Sequence, residues 1–285
     1  MLTASVLLAA VAIALAWPVP VALARASWPA RAPGPALALW QAIALGGGIT
    51  MIGSLLVFGA APAGSLPAAA AALLPHLFAG SLPQGFSLVH LGALTLAIAL
   101  AVHLALNLAL TAGRAERERR RQHQLIALLS DPLPGSPHTR VLPHSAPLAY
   151  CVPGIRTATV LTDGLVAALD DRQLAAVVAH ERAHLEQFHH VVLVAFRAWH
   201  SALPWFPIAN RAERAVTQLT EMLADDRARH EAGDDALGSA LRLLGSDAEP
   251  GAYADAGGIA PDRAMLDARL ERLGTDAGNA RLRVG

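Results

Sequence analysis

Within 285 residues the chain has 54% hydrophobic side chains, 15% charged ones and no net formal charge. That balance argues against a wholly soluble globular protein, and the missing basic field gives nucleic-acid binding no electrostatic support. The length leaves room for membrane segments and one catalytic domain.

Every basic residue is arginine, a bias of GC-rich bacterial genomes, and the single cysteine, Cys151, cannot close an intrachain disulfide. A reduced thiol in a cytosol-facing domain is the simplest reading of it.

Residues 1–24 contain no charged side chain and are long enough to cross a ~30 Å hydrocarbon core as a helix. Ala22-Leu23-Ala24 resembles a signal-peptidase site, but no positive charge precedes the apolar stretch, so a retained transmembrane helix is favoured. From Ala32 to Gly113 there is no Arg, Lys, Asp or Glu. Two further spans are predicted there, at 36–60 and 88–112, with Leu66 to Phe78 as an outside loop or interfacial piece broken by Pro67 and Pro75. His90 and His103 in the third span are predicted as neutral histidines hydrogen-bonded within the bundle, with Asn107 a candidate partner of His103.

Arginines crowd residues 114–121, directly after the third span. By the positive-inside rule that side is cytoplasmic, and the Arg25 and Arg31 loop falls on the same side, giving an outside N-terminus. Interleaved glutamates favour topology and anionic lipid contact over nucleic acid. Residues 114–138 are predicted as a cytoplasmic basic linker. Short strands are expected at 139–142, 148–152 and 157–162; the last two flank Pro153-Gly154 and suggest a small antiparallel sheet, whose edge could accept an extended peptide.

Asp170-Asp171 caps a predicted helix whose buried face holds Leu174, Val177, Val178, Leu185 and Phe188. It carries His180-Glu181-x-x-His184. Two histidines four apart share one helix face, so their ring nitrogens can converge on one ion, while Glu181 stands where it could take a proton from the attacking water. Residues 191–208 are apolar but interrupted by Arg197, His200, Pro204 and Pro207, and are predicted as a membrane-skimming or core helix.

A catalytic zinc usually takes three protein ligands, and two His with one Glu is an established set. Glu221, on a helix predicted at 217–230, is the third-ligand candidate. Asp225, one turn on, is placed to accept the second ring N–H of a ligating histidine; Asp226 points about 100° away and is weaker. His189 and His190 read as interfacial or structural. Residues 251–258 look like a flexible linker, and 261–273 form an amphipathic helix with Met265, Leu266, Leu270 and Leu273 on one side, before a disordered end.

The chain resembles the BlaR/MecR-type integral-membrane zinc metallopeptidases, within the gluzincin group. The likeness rests on Val152-Pro153-Gly154, Leu161-Thr162-Asp163-Gly164-Leu165, His180-Glu181-x-x-His184 and Glu221-x-x-Ala224-Asp225-x-x-Ala228, behind three predicted spans. It implies one zinc per chain held by His180, His184 and Glu221, Glu181 as catalytic base, a protein or peptide substrate, and a cytosolic transcriptional repressor as a partner. Sensors of the antibiotic-response type add a fourth span and a penicillin-binding domain; neither is seen here, so β-lactam sensing is not carried over. HtpX-like quality-control peptidases share the zinc motifs but usually place two spans before them and two after.

The expected fold is predominantly α: a membrane domain at 1–113, the 114–138 linker, a zincin-like α+β metallopeptidase domain at 139–245, and a flexible tail at 246–285 with an amphipathic helix. The expected function is zinc-dependent endopeptidase at the cytoplasmic membrane face. A non-catalytic membrane scaffold is the rival from another class, and Glu181 argues against it, because a scaffold has no need of that carboxylate.

Overall fold

A computed structural model of the chain describes residues 1–76, 81–133, 139–153, 157–204, 207–246 and 263–284. The loop expected at 251–258 and the piece of the interfacial segment beyond His76 lie outside the described residues. The chain forms two compact units. One comprises Met1–Pro29, Pro35–Thr111 and Ala195–Ala215; the other comprises Ala30–Gly34, Ala112–Val194 and Val216–Gly285.

In the first unit, α1 (Leu2–Ala16) and α2 (Pro18–Arg25) meet at Trp17. Pro18 has no N–H to continue α1 but suits the first position of a new helix. Together they make one of three stretches long and apolar enough to cross a membrane, beside α3 (Pro33–Gly59) and α5 (Leu88–Leu129). Leu7, Leu45, Ile49, Leu88 and Val89 point outward, as a lipid-facing surface requires. In a bilayer, where the lipid is as apolar as the interior, helices associate by close packing over small residues. A Cβ on Gly59 would lie 2.5 Å from the Leu94 side chain and 2.9 Å from the His90 carbonyl. Ser5 reaches across to donate to the Ser54 carbonyl at 3.0 Å. Between the spans lies α4 (Leu66–Leu73), capped by Ser65, whose hydroxyl accepts from the Ala68 N–H.

His90 stacks on Phe58 with ring centroids 5.2 Å apart and meets the Ser87 hydroxyl at 2.8 Å. His103 donates from Nε2 to the Ala202 carbonyl at 3.2 Å. Asn107 does not partner His103: its Oδ1 accepts from Ser201 at 2.7 Å.

In the second unit α5 continues through the arginines to Leu129, so the segment expected as a linker is helical that far. Glu116 pairs with Arg119 and, at 2.7 Å, with Arg120. Ile126 then packs on Val152 and Val160 of the sheet, and His123 donates to the Pro153 carbonyl at 3.1 Å.

The sheet has four strands, β1 (Asp131–Pro132), β2 (Thr139–Leu142), β3 (Ala149–Val152) and β4 (Ala158–Thr162), in the order β1-β2-β4-β3. β3 and β4 pair antiparallel, as expected, with Ala149 opposite Leu161. β2 and β4 run parallel, with Leu142 opposite Thr162, so the sheet is mixed rather than purely antiparallel. Alternating apolar residues announce a strand but not its direction. Here the direction follows from the 143–148 loop, which starts and ends at the Thr162 end of β4. The Thr162 hydroxyl fastens that loop, donating to the Ala146 carbonyl at 2.7 Å and accepting from the Leu148 N–H at 2.9 Å.

Gly164 opens α6 (Asp163–Ala168) directly beneath the loop. Its N–H donates to the His144 carbonyl at 3.0 Å, and a Cβ there would fall 2.0 Å from the Ser145 carbonyl oxygen. Backbone on both sides leaves nothing flexible to give way. Gly164→Ala should therefore lower stability by about 1–3 kcal/mol, read as a lower unfolding midpoint of the detergent-solubilised chain.

α7 (Asp171–Glu186) starts with a capping box: Asp170 Oδ1 accepts from the Gln173 N–H at 2.8 Å, and Gln173 Oε1 accepts from the Asp170 N–H at 3.0 Å. α8 (His189–Ala202) leads into the first unit and α9 (Pro207–Ala232) leads back. α10 (Asp234–Ser246) and α11 (Arg263–Val284) complete the described helices. The helix expected at 261–273 thus runs to Val284, through residues expected to be disordered. One core joins Ala176, Ala179, Ala228, Leu237, Leu241 and Leu273, with Leu266 and Leu270 against it; a second joins Leu161, Leu165, Leu169, Val177 and Ala240.

Candidate metal centre

The buried stripe of α7, with Ala176, Val177, Ala179 and Ala183, also buries His180. One turn later His184 turns its Nε2 to 3.2 Å from His180 Nε2. Glu221 on α9 closes the group, with Oε2 3.4 Å from His180 Nε2 and Oε1 3.4 Å from His184 Nε2. Neighbouring ligands of a tetrahedral zinc with bonds of ~2.0–2.1 Å stand ~3.3 Å apart. The three separations fit that edge, and two imidazoles with one carboxylate are donors zinc accepts.

Asp225, 2% exposed, lies one turn beyond Glu221 and brings Oδ1 to 3.0 Å from His180 Nδ1, although the N–H is not aligned on it. Asp226 faces elsewhere and forms a two-point ion pair with Arg272, at 2.6 and 2.8 Å.

Burial opposes a charge on His180, but the adjoining Asp225 and Glu221 carboxylates outweigh it and lift the imidazole to about 10. The pocket therefore favours a positive charge, and a divalent cation supplies one without protonating a ligand. Burial, with His180, His189 and Arg269 adding and the Glu221 charge opposing, pushes His184 down to about 3. Glu221 and Asp225 resist burial through His180 and Arg269, which hold both carboxyls below their ordinary range.

Glu181 is lifted to about 7 by burial, with the Glu221 charge adding and His180 opposing. Beside it stands the Cys151 thiol of β3, itself raised by burial and by the Glu181 charge. Cys151 therefore remains a thiol, and β3 lies along the site.

Residues 112–225 match the model of peptidase family M48. The match covers about two-fifths of the chain, contains both histidines, Glu181 and Glu221, and supports a metallopeptidase. No curated protein and no solved structure matches the chain.

Two further residues stand against the site, one that the sequence did not single out and one, His189, that it marked only as interfacial or structural. Arg269 of α11, 6% exposed and beyond the M48-matching stretch, donates to both oxygens of Asp225 at 2.6 and 2.7 Å and stands 3.0 Å from Glu221 Oε2. Its signal was positional: 266, 269, 270 and 273 follow the i, i+3, i+4, i+7 rule, so Arg269 occupies the stripe that Leu266, Leu270 and Leu273 bury. The other is His189, 2% exposed, whose Nδ1 lies 2.9 Å from His184 Nδ1. Phe188, expected on the buried face of α7, is instead 64% exposed, because the helix stops at Glu186 and Phe188 turns to a positive φ of 54°.

Proposed function

We propose that the chain is a membrane-anchored zinc endopeptidase. The observation that carries this reading is the convergence of His180, His184 and Glu221 at tetrahedral-edge separations, within the stretch that matches a peptidase family. Zinc held there would supply Lewis-acid polarisation of the scissile carbonyl and of the attacking water. Glu181 takes the water's proton on its buried carboxylate and returns it to the leaving amine. Asp225 orients His180, and Arg269 holds Glu221 and Asp225 in place.

Substrate binding follows from the sheet. β3 is an outer strand, paired with β4 on one side, and its Cys151 faces Glu181. An extended peptide laid along its other side would gain backbone hydrogen bonds and run past the carboxylate.

The arginines at 114–121 support a cytoplasmic catalytic face and an outside N-terminus. Three candidate spans precede the histidine helix, which favours the BlaR/MecR-type arrangement and regulatory proteolysis, a cytosolic repressor being the natural substrate class, over HtpX-like quality control. The metal assignment is tested by Glu221→Ala. With one donor of three removed, zinc affinity should fall by more than about 100-fold, beyond the loss that an outer partner causes, measured by chelator competition on the purified chain. A full zinc complement in that variant would remove Glu221 from the site.

A further inference from the structure

His189 does more than fill space, and what it does follows from counting protons. The Gln187 side chain presents its carbonyl oxygen Oε1, 3.1 Å from His189 Nε2. A carbonyl oxygen only accepts, so Nε2 of His189 carries the hydrogen. His189 is buried against a second imidazole, where a charged ring is disfavoured, and a neutral ring holds a single N–H. Its Nδ1 is therefore a bare acceptor. That atom faces His184 Nδ1 at 2.9 Å. Two bare nitrogens at this distance would repel, so His184 Nδ1 must donate. The remaining nitrogen of His184, Nε2, is then left with its lone pair free, and it is the atom that faces His180 and Glu221.

We infer that His189 is a positioning residue: it locks His184 in the tautomer whose Nε2 can ligate a metal, with Gln187 setting the polarity of the relay. This deepens the zinc reading and rests on it. The two histidine ligands are thereby held by different means. His180 has the Asp225 carboxylate at its far nitrogen, whereas His184 has a neutral imidazole backed by an amide.

The turn at Phe188 is what makes the contact possible. In an unbroken helix, five residues on from His184 lies about 140° around the axis, out of reach. Ending α7 at Glu186 and passing through the left-handed Phe188 starts α8 at His189 and swings that ring onto His184, edge to face at 82° with centroids 4.9 Å apart. A bulky residue at positive φ is strained and persists only where its surroundings impose it.

The test compares two near-isosteric replacements on the full-length metal-free chain in detergent, with zinc affinity read by chelator competition. Asparagine sets an amide oxygen where Nδ1 stood and adds no charge; leucine sets a methyl there. His189→Leu should weaken zinc by about 10–100-fold, and His189→Asn should stay within about threefold of the natural chain. Wild-type affinity in the leucine variant, or an asparagine variant as weak as leucine, would overturn the role of His189 while leaving zinc binding intact. If the leucine variant fails to fold, the asparagine variant decides: affinity near the natural value supports the relay, and a loss of tenfold or more overturns it. A natural chain that holds no zinc would overturn the metal reading and this inference together.

Discussion

Glu181→Gln should leave zinc bound and reduce peptide cleavage by at least about 10³-fold, within the range that a positioned general base contributes. Glutamine keeps the size of the side chain and most of its polar contacts but accepts no proton near neutral pH. His180, His184 and Glu221 are untouched, so the metal site survives. Zinc content and cleavage of a quenched-fluorescent peptide pool, measured on the same preparation, separate the two effects. Undiminished cleavage would sink the catalytic assignment, and a loss of zinc alongside activity would mean that Glu181 shapes the site rather than serving it. The result also decides against the scaffold reading, which predicts no turnover to lose.

The local geometry of this centre was legible in the sequence because helices impose arithmetic. A four-residue spacing places His180 over His184, and the same spacing places Asp225 one turn from Glu221, facing the ring it was expected to meet. The three long apolar helices were legible for a related reason: an uncharged stretch of more than twenty residues has few other fates. What was hidden depended on interruptions and on distance along the chain. His189 reaches His184 only because Phe188 breaks the helix, and nothing in the periodicity of 171–188 marks that break. The parallel pairing of β2 with β4 depends on the loop tied down by Thr162, which alternation along one strand cannot reveal. Arg269 lies 44 residues beyond Asp225, across residues 247–262, and its partner could not be named although its position on the apolar stripe could.

That hidden residue leads to the second large effect. Arg269→Met should destabilise the chain by about 2–4 kcal/mol, because it takes the guanidinium from the buried Asp225 and Glu221 carboxylates and leaves His180 as their one remaining positive neighbour among the described residues. Methionine preserves much of the apolar stem, so lost packing is a minor part of the change. If the cost comes from the stranded carboxylate, neutralising it should recover most of the loss: Asp225→Asn added to Arg269→Met should be less destabilising than the two single effects summed. Equilibrium unfolding of the metal-free chains in detergent measures all four corners of that cycle. A change below about 1 kcal/mol for Arg269→Met would place the pair among exposed ion pairs of little consequence, contrary to its burial. Arg269→Lys sharpens the test, since a point charge cannot reproduce the two parallel hydrogen bonds to Asp225 together with the approach to Glu221. It should keep part of the stability and still lower zinc affinity. That outcome would make α11 a structural component of the metal centre, because the helix would then set the position of Glu221 from outside the stretch that matches the peptidase family.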